Sequence, residues 1–296
     1  MIRLVTFAAM CLFLPMPAFA ELTRHRFEQD GIARQFFVYT PDRAGRHEPM
    51  PVVLMLHGGG GSARQMLRSP GRRMNDLAET EGFIAVYPDA VGRSWDFGEG
   101  KVSEGRRAPR VDDLAYFRRV IDHITASPRA DGNRVYATGI SRGGQASFFL
   151  ACKLPDRIHA IAPVAMSLPA FLADDCRSIP ATPIALIHGT DDPLVPYEGG
   201  QIRLFRKNRG EVLGAERTMA LLSQRNGCRA QANTRRMGEV QRIEWNGCQA
   251  STVLYRVEGG GHTWPGEREV LPRRLVGKTN RDIDATAEIW RFFSRL

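Results

Sequence analysis

The chain has 296 residues and a formal charge of +9, with 41 Lys and Arg against 32 Asp and Glu. That length suits one large domain with a sizeable core. The basic residues are spread along the chain, with small clusters at Arg106-Arg107, Arg203 to Arg209 and Arg273-Arg274, and aromatics are not interleaved in the way a nucleic-acid surface would need. A nucleic-acid surface is therefore not expected.

The first twenty residues read as a targeting segment. Arg3 supplies a short positive region, Leu4 to Leu14 an apolar one, and Ala18-Phe19-Ala20 an A-x-A cleavage site before Glu21. The apolar run is too short, and too interrupted by Pro15 and Pro17, to anchor in a bilayer. Residues 1–20 are thus expected to be a signal peptide and residues 21–296 a single domain, secreted or periplasmic, without membrane association after cleavage. Cys11 falls in the removed segment. Cys152, Cys176, Cys228 and Cys248 remain, and an even number in an exported chain argues for two disulfides. Of the three connectivities, nearest-neighbour pairing is expected: Cys152 with Cys176, and Cys228 with Cys248. A zinc site would need C-x-x-C or H-x-x-x-H spacing, which these cysteines lack. No metal is expected.

In chain order, Gln35 to Thr40 is a β-rich run stopped by Pro41-Asp42. Val52 to Leu56 is continuously apolar, as a central parallel strand would be. It ends in His57-Gly58-Gly59-Gly60-Gly61-Ser62, a loop able to bring backbone N–H groups close to a ligand. The G-K-[ST] ending of a phosphate loop is absent, so an oxyanion hole is the better reading, with His57 as a brace. Phe83 to Tyr87 is another short strand, and Val91 to Pro109 a long loop carrying Trp95. Trp95 has two readings, a wall of the binding site or a pin holding the loop to the core.

Asp112-Asp113 read as capping acids before an amphipathic helix carrying Leu114, Phe117, Val120, Ile121 and Ile124. Val135 to Thr138 reads as a buried strand and Gln145 to Cys152 as a buried helix, with Gly139-Ile140-Ser141-Arg142-Gly143 between them. This G-x-S-x-G pattern suits a sharp strand-to-helix turn that presents a serine to the helix's free N–H groups. Ile158 to Val164 is a strand, Met166 to Ile179 an irregular loop, and Pro183 to Ile187 a strand ending in His188-Gly189-Thr190-Asp191-Asp192-Pro193. Of the two acids, Asp192 is assigned to catalysis and Asp191 to the turn. Gly199 to Ala215 is basic and aperiodic, and Glu216 to Arg225 a short helix. Ser251 to Val257 is the last strand, followed by Gly259-Gly260-Gly261-His262-Thr263-Trp264-Pro265-Gly266, and Asp282 to Phe293 a closing helix.

Ser141, Asp192 and His262 thus follow apolar strands in the chain order of an α/β-hydrolase. Ser141 is the expected nucleophile, His262 the base and Asp192 its orienting carboxylate. The N–H groups of Gly59 and Arg142 are expected to form the oxyanion hole. The fold expected is α/β, a mostly parallel sheet flanked by helices.

The motifs Leu56 to Gly60, Tyr87-Pro88-Asp89 with Trp95, Val111-Asp112-Asp113, Gly139 to Gly144, His188 to Pro193 with Val195-Pro196-Tyr197, and Gly260 to Gly266 together resemble the secreted polyhydroxybutyrate depolymerase and feruloyl esterase family. The resemblance covers nearly all of residues 21–296 and implies the same triad. It also implies a serine esterase without a cofactor, acting on feruloyl or acetyl esters of plant polysaccharide. Polyhydroxybutyrate oligomers are the alternative substrate, and a non-catalytic binding protein on the same fold is the alternative of another class. Arg142 stands where many members have Asn, as does Asp96 after Trp95. Trp95 and Trp264 are the substrate-binding candidates, able to stack on an aromatic acid or sugar. The only partner expected is the ester substrate, met by a monomer.

Overall fold

The computed structural model describes residues 20–42, 48–98, 110–204, 207–229, 231–269 and 271–296. Apart from Ala20, the expected signal segment lies outside the described residues, and so does the second half of the loop expected over 91–109.

A hairpin of β1 (Glu21–Gln29) and β2 (Ile32–Thr40) comes first. β3 (Met50–Leu56) leads through the glycine loop to α1 (Ala63–Arg68) and α2 (Gly71–Leu77), and then to β4 (Ile84–Pro88). Next come α3 (Asp113–Thr125), β5 (Ala130–Ile140), α4 (Arg142–Lys153), β6 (Ala160–Val164), α5 (Ala173–Ser178) and β7 (Ile184–Gly189). A separate hairpin of β8 (Gly199–Leu204) and β9 (Lys207–Leu213) precedes α6 (Ala215–Arg225). A second hairpin, β10 (Ala232–Met237) with β11 (Val240–Trp245), leads to β12 (Thr252–Val257), α7 (Arg273–Val276) and α8 (Ala285–Phe293).

Among the described residues one sheet has the order β1-β2-β4-β3-β5-β6-β7-β12-β11-β10. The run from β4 to β12 is parallel, and antiparallel hairpins close both edges. The chain steps from β3 to β4 on one side and then returns to place β5 on the other. The crevice past the ends of β3 and β5 is therefore the topological switch point, where open α/β sheets hold ligands. The apolar strands need both faces covered. Val52, Leu54 and Leu56 join the core formed with α3, α4 and α6, while Val53 and Met55 join the core formed with α1, α2 and α8.

Several expectations change. The segment 166–179 contains α5, whose Cys176 is bonded to Cys152 of α4. The second disulfide joins Cys228 to Cys248, and both pairings are the nearest-neighbour ones expected. The basic segment 199–215 is the β8–β9 hairpin, which no apolar alternation announced because it lies outside the main sheet. β1, β10 and β11 belong to the main sheet but lie toward its edges, and their charged, partly exposed faces give them the composition of loops.

Asp112 caps α3, its Oδ1 accepting from Ala115 N–H at 2.8 Å. Asp113 is not a cap. It is fully buried, 2.5 Å from Arg34 Nη2, and its other oxygen accepts from Asp96 N–H at 2.7 Å. Tyr116 lies under the same guanidinium, 3.7 Å from ring centre to Cζ. Burial raises the Asp113 carboxyl from its ordinary value, against the opposing pull of Arg34. A buried charge with its partner removed is costly, so Arg34→Met is expected to lower unfolding stability by about 3–5 kcal/mol. Urea denaturation followed by tryptophan fluorescence reads this loss.

Candidate active site

Four loops, after β3, β5, β7 and β12, reach the switch-point edge of the sheet, and the sequence explains why each can. The turn after β5 is the tightest. Ser141 has φ 57° and ψ −121°, a left-handed conformation that costs a non-glycine residue about 1–3 kcal/mol. Its N–H donates to Val164 O at 2.9 Å, and its carbonyl accepts from Gln145 N–H at 2.9 Å, so strand and helix together impose it. The flanking glycines allow the approach. A Cβ on Gly143 would lie 2.0 Å from Leu56 O, and one on Gly139 would lie 2.4 Å from the same atom. The G-x-S-x-G spacing is thus a clearance requirement between α4 and β3.

The β3 loop lies alongside this turn. A Cβ on Gly58 would sit 3.6 Å from Ser141 Cβ, and one on Gly59 would sit 3.7 Å from Arg142 Cβ. His57 holds the loop from within. It is buried, its Nε2 accepts from Ala90 N–H at 3.1 Å, and its Nδ1 donates to Gly58 O at 2.9 Å. Burial lowers the pKa of this ring, against the raising effects of Gly58 O and Asp89. It is a brace, the role its place before the glycines suggested.

Asp192 and His262 meet across β7 and β12. His262 Nδ1 stands 2.8 Å from Asp192 Oδ2. Oδ1 accepts from the N–H groups of Leu194 at 2.9 Å and Val195 at 2.8 Å. The side chain is fully buried. Burial alone would raise its pKa, but the His262 charge and the hydrogen bonds from His188 and His262 hold it well below the usual carboxylate range. Gly189 lets the two loops touch, since a Cβ there would lie 2.2 Å from Gly260 O. Asp191 N–H then donates to Gly260 O at 3.0 Å. One row of the sheet runs Ile140, Val164, Ile187, Tyr255 across β5, β6, β7 and β12. Tyr255 is therefore three strand spacings, about 14 Å, from Ile140, and Val257 lies two residues further along β12. The five residues from Glu258 to His262 can span about 17 Å toward the serine turn.

The two indoles expected to contact substrate do not line a cleft. Trp95 is 1 % exposed, with its Nε1–H donating to His57 O at 2.9 Å. Trp264 is 4 % exposed and donates to Thr286 Oγ1 at 3.0 Å. With both faces covered and both N–H groups used, they hold loops to the core. Arg142 has a similar duty, since its guanidinium donates to Trp95 O at 2.8 Å and lies 4.4 Å over the Phe97 ring. Asp96 closes the neck of the long loop, accepting from Gly98 N–H at 2.9 Å and Val111 N–H at 3.4 Å.

Two nearby features were not singled out from sequence. The Phe171 ring is 42 % exposed and stacks at 6.5 Å on Phe97, beneath Arg142. His188, a polar residue at the end of an apolar strand, is buried beside Asp192. That polar interruption of β7 was the available signal. Among the described residues no group of three or more His, Cys, Asp or Glu side chains is placed to hold a metal ion. No helix of the described residues is long and apolar enough to cross a membrane.

The family model described as Esterase PHB depolymerase matches residues 35–168. NocK of Nocardia uniformis subsp. tsuyamanensis, assigned as an esterase, is 30% identical over 263 residues, which cover 82% of this chain and 74% of that protein. Feruloyl esterase D of Neurospora crassa is 25% identical over 286 residues, 90% of this chain and 83% of its own. Feruloyl esterase B of Piromyces equi is 28% identical over 232 residues, 76% of this chain but only 40% of its own length. The acetyl xylan esterase structure from Aspergillus awamori superposes with a TM-score of 0.58 at 15% identity, over 81% of this chain and 94% of that one. The chain is an α/β-hydrolase, and a carboxylic ester hydrolase. It belongs to the Esterase PHB depolymerase family.

Asp192 carries a pH consequence. A carboxyl depressed in the folded state stabilises the fold fully above its unfolded value of about 3.9, and that contribution is lost as pH falls through the folded value. Asp192→Asn is therefore expected to show a shallower loss of unfolding stability than the wild-type chain as pH falls below about 5. Urea titrations at a series of acid pH values measure the slope.

Proposed function

We propose that this esterase hydrolyses feruloyl or acetyl esters of plant polysaccharide through an acyl-enzyme on Ser141. The observation that carries the reading is the His262 Nδ1 to Asp192 Oδ2 pair at 2.8 Å, on the sheet edge that also presents the strained Ser141 turn. Asp192 accepts from His262 Nδ1–H, which leaves the Nε2 lone pair as the base. His262 Nε2 takes the Ser141 proton as Oγ attacks the ester carbonyl. The developing oxyanion is received by the N–H groups of Gly59 and Arg142, the latter at the positive end of α4. Collapse expels the alcohol, which takes its proton from His262. Water then attacks the acyl-enzyme, giving its proton to His262, and the acid leaves as Ser141 recovers its hydrogen.

The substrate class rests on the names of relatives, two of them feruloyl esterases, and on one local feature. Phe171 offers an exposed ring beyond Arg142, suited to an aromatic acyl group. A polyhydroxybutyrate oligomer is the second reading. The matched family's name favours it, and so do the exposed Leu271 and Leu275 next to the His262 loop, whose backbone is tied to Val276 O. The two disulfides support work in an oxidising compartment, after removal of residues 1–20 from a single domain of 21–296.

Ser141→Ala is expected to lower p-nitrophenyl acetate hydrolysis by about 10⁴–10⁶-fold and to abolish labelling by a fluorophosphonate. Retention of more than a few per cent of activity would remove Ser141 from the mechanism. Comparing kcat/KM for methyl ferulate, acetylated xylan and a hydroxybutyrate oligomer separates the substrate readings. Either of the first two should exceed the third by about ten-fold or more, which corresponds to about 1.4 kcal/mol of transition-state discrimination. Phe171→Ala should raise KM for methyl ferulate and leave acetyl ester hydrolysis unchanged, as steady-state kinetics on both substrates will show.

A further inference from the structure

His188 sits at the end of β7 with a fully buried side chain. Its Nε2 faces two oxygens, Val195 O at 3.0 Å and Asp192 Oδ2 at 3.4 Å. Both are acceptors, a peptide carbonyl and an ionised carboxylate, so Nε2 carries a hydrogen. The shorter contact is the stronger bond, and the carboxylate shares the same N–H at longer range. On the other side of the ring, Nδ1 meets Ser167 Oγ at 2.9 Å, and Ser167 is itself buried. Tyr197 closes over the imidazole edge at 5.6 Å between ring centres. The ring is thus held on every side and has no route to substrate.

The placement has a clear mechanical meaning. Val195 gives its N–H to Asp192 Oδ1 and its carbonyl to His188 Nε2. One residue, Val195, therefore joins the two side chains into a closed circuit through the 192–195 turn. Without His188, Asp192 Oδ2 would keep His262 as its only close side-chain partner among the described residues, and the turn would lose this tie to β7. Resting on the reading of Ser141, His262 and Asp192 as the triad, we infer that His188 is a positioning residue. Its Nε2–H fixes the Asp192 carboxylate so that Oδ2 stays directed at His262 Nδ1. It acts through Asp192 and touches neither substrate nor the reacting atoms.

Two amide substitutions test this, because they offer the same chemistry at different reach. Glutamine can place an N–H near the position of the native Nε2, whereas asparagine reaches only as far as Nδ1. With p-nitrophenyl acetate, H188Q is expected to keep kcat within about 5-fold of wild type, while H188N loses on the order of 10²-fold in kcat at little-changed KM. Adding H188N to D192N should cost no more than about 3-fold beyond D192N alone, because a residue that acts through Asp192 has nothing left to act on. Near-ultraviolet circular dichroism checks that each variant is folded. If H188N does not fold, Ser167→Ala reads the same circuit with the ring in place, and kcat should fall about 5-fold with KM unchanged. Equal losses in H188Q and H188N, a loss in KM instead of kcat, an unaltered S167A, or losses that multiply in the D192N background would overturn the assignment. A D192N variant with wild-type kcat would instead remove the triad itself, a different failure recognisable without touching His188.

Discussion

A carboxylate sealed from water survives as an anion only if its oxygens are fully engaged, and Asp192 is the group on which this molecule concentrates that effort. Two backbone N–H groups meet one oxygen, and the imidazoles of His262 and His188 meet the other. Either set alone would leave a buried lone pair exposed to a low-dielectric interior, which is expensive. Four donors turn a liability into a fixed reference point. The register of β7 with β12, the close pass of Gly189 over Gly260 and the turn at 192–195 are all needed for it.

The opposite half of the site is organised by sterics. Ser141 occupies a backbone region that side chains avoid, and it does so because strand β5 and helix α4 leave no alternative path. The small residues around it are spacing elements set by the carbonyl of Leu56. One half of the edge is therefore fixed by charge satisfaction and the other by van der Waals contact. The parallel sheet aligns them because its strands end within two residues of a common row.

The buried strands and the three loops that follow them were legible in sequence for a definite reason. A parallel strand covered on both faces must be apolar throughout, and its end is marked by glycine or a polar cluster. Val52 to Leu56 and Pro183 to Ile187 both show this. The edge hairpins were not legible, because β1, β10 and β11 have one wet face and many charges, a composition shared with loops. Single side chains fared worse. Asp113 has the sequence context of a helix cap, yet its partner Arg34 lies 79 positions away and nothing local announces it. Trp95 and Trp264 stand in motifs that flank a site, but the side of the loop that an indole faces depends on a distant acceptor, His57 O in one case and Thr286 in the other. His188 was readable only as an anomaly, a polar ring at the close of an apolar run.

The Asp96 carboxylate bears on how firmly the serine turn is held. By accepting from Gly98 N–H on one side and Val111 N–H on the other, it fastens the two stems of the chain that leaves and re-enters there. The stems are also pinned inward, through Asp96 N–H to Asp113 and Trp95 to His57. Loss of that carboxylate would release both stems at once, and the slack would travel to the residue beside Ser141, because the Arg142 guanidinium is bonded to Trp95 O.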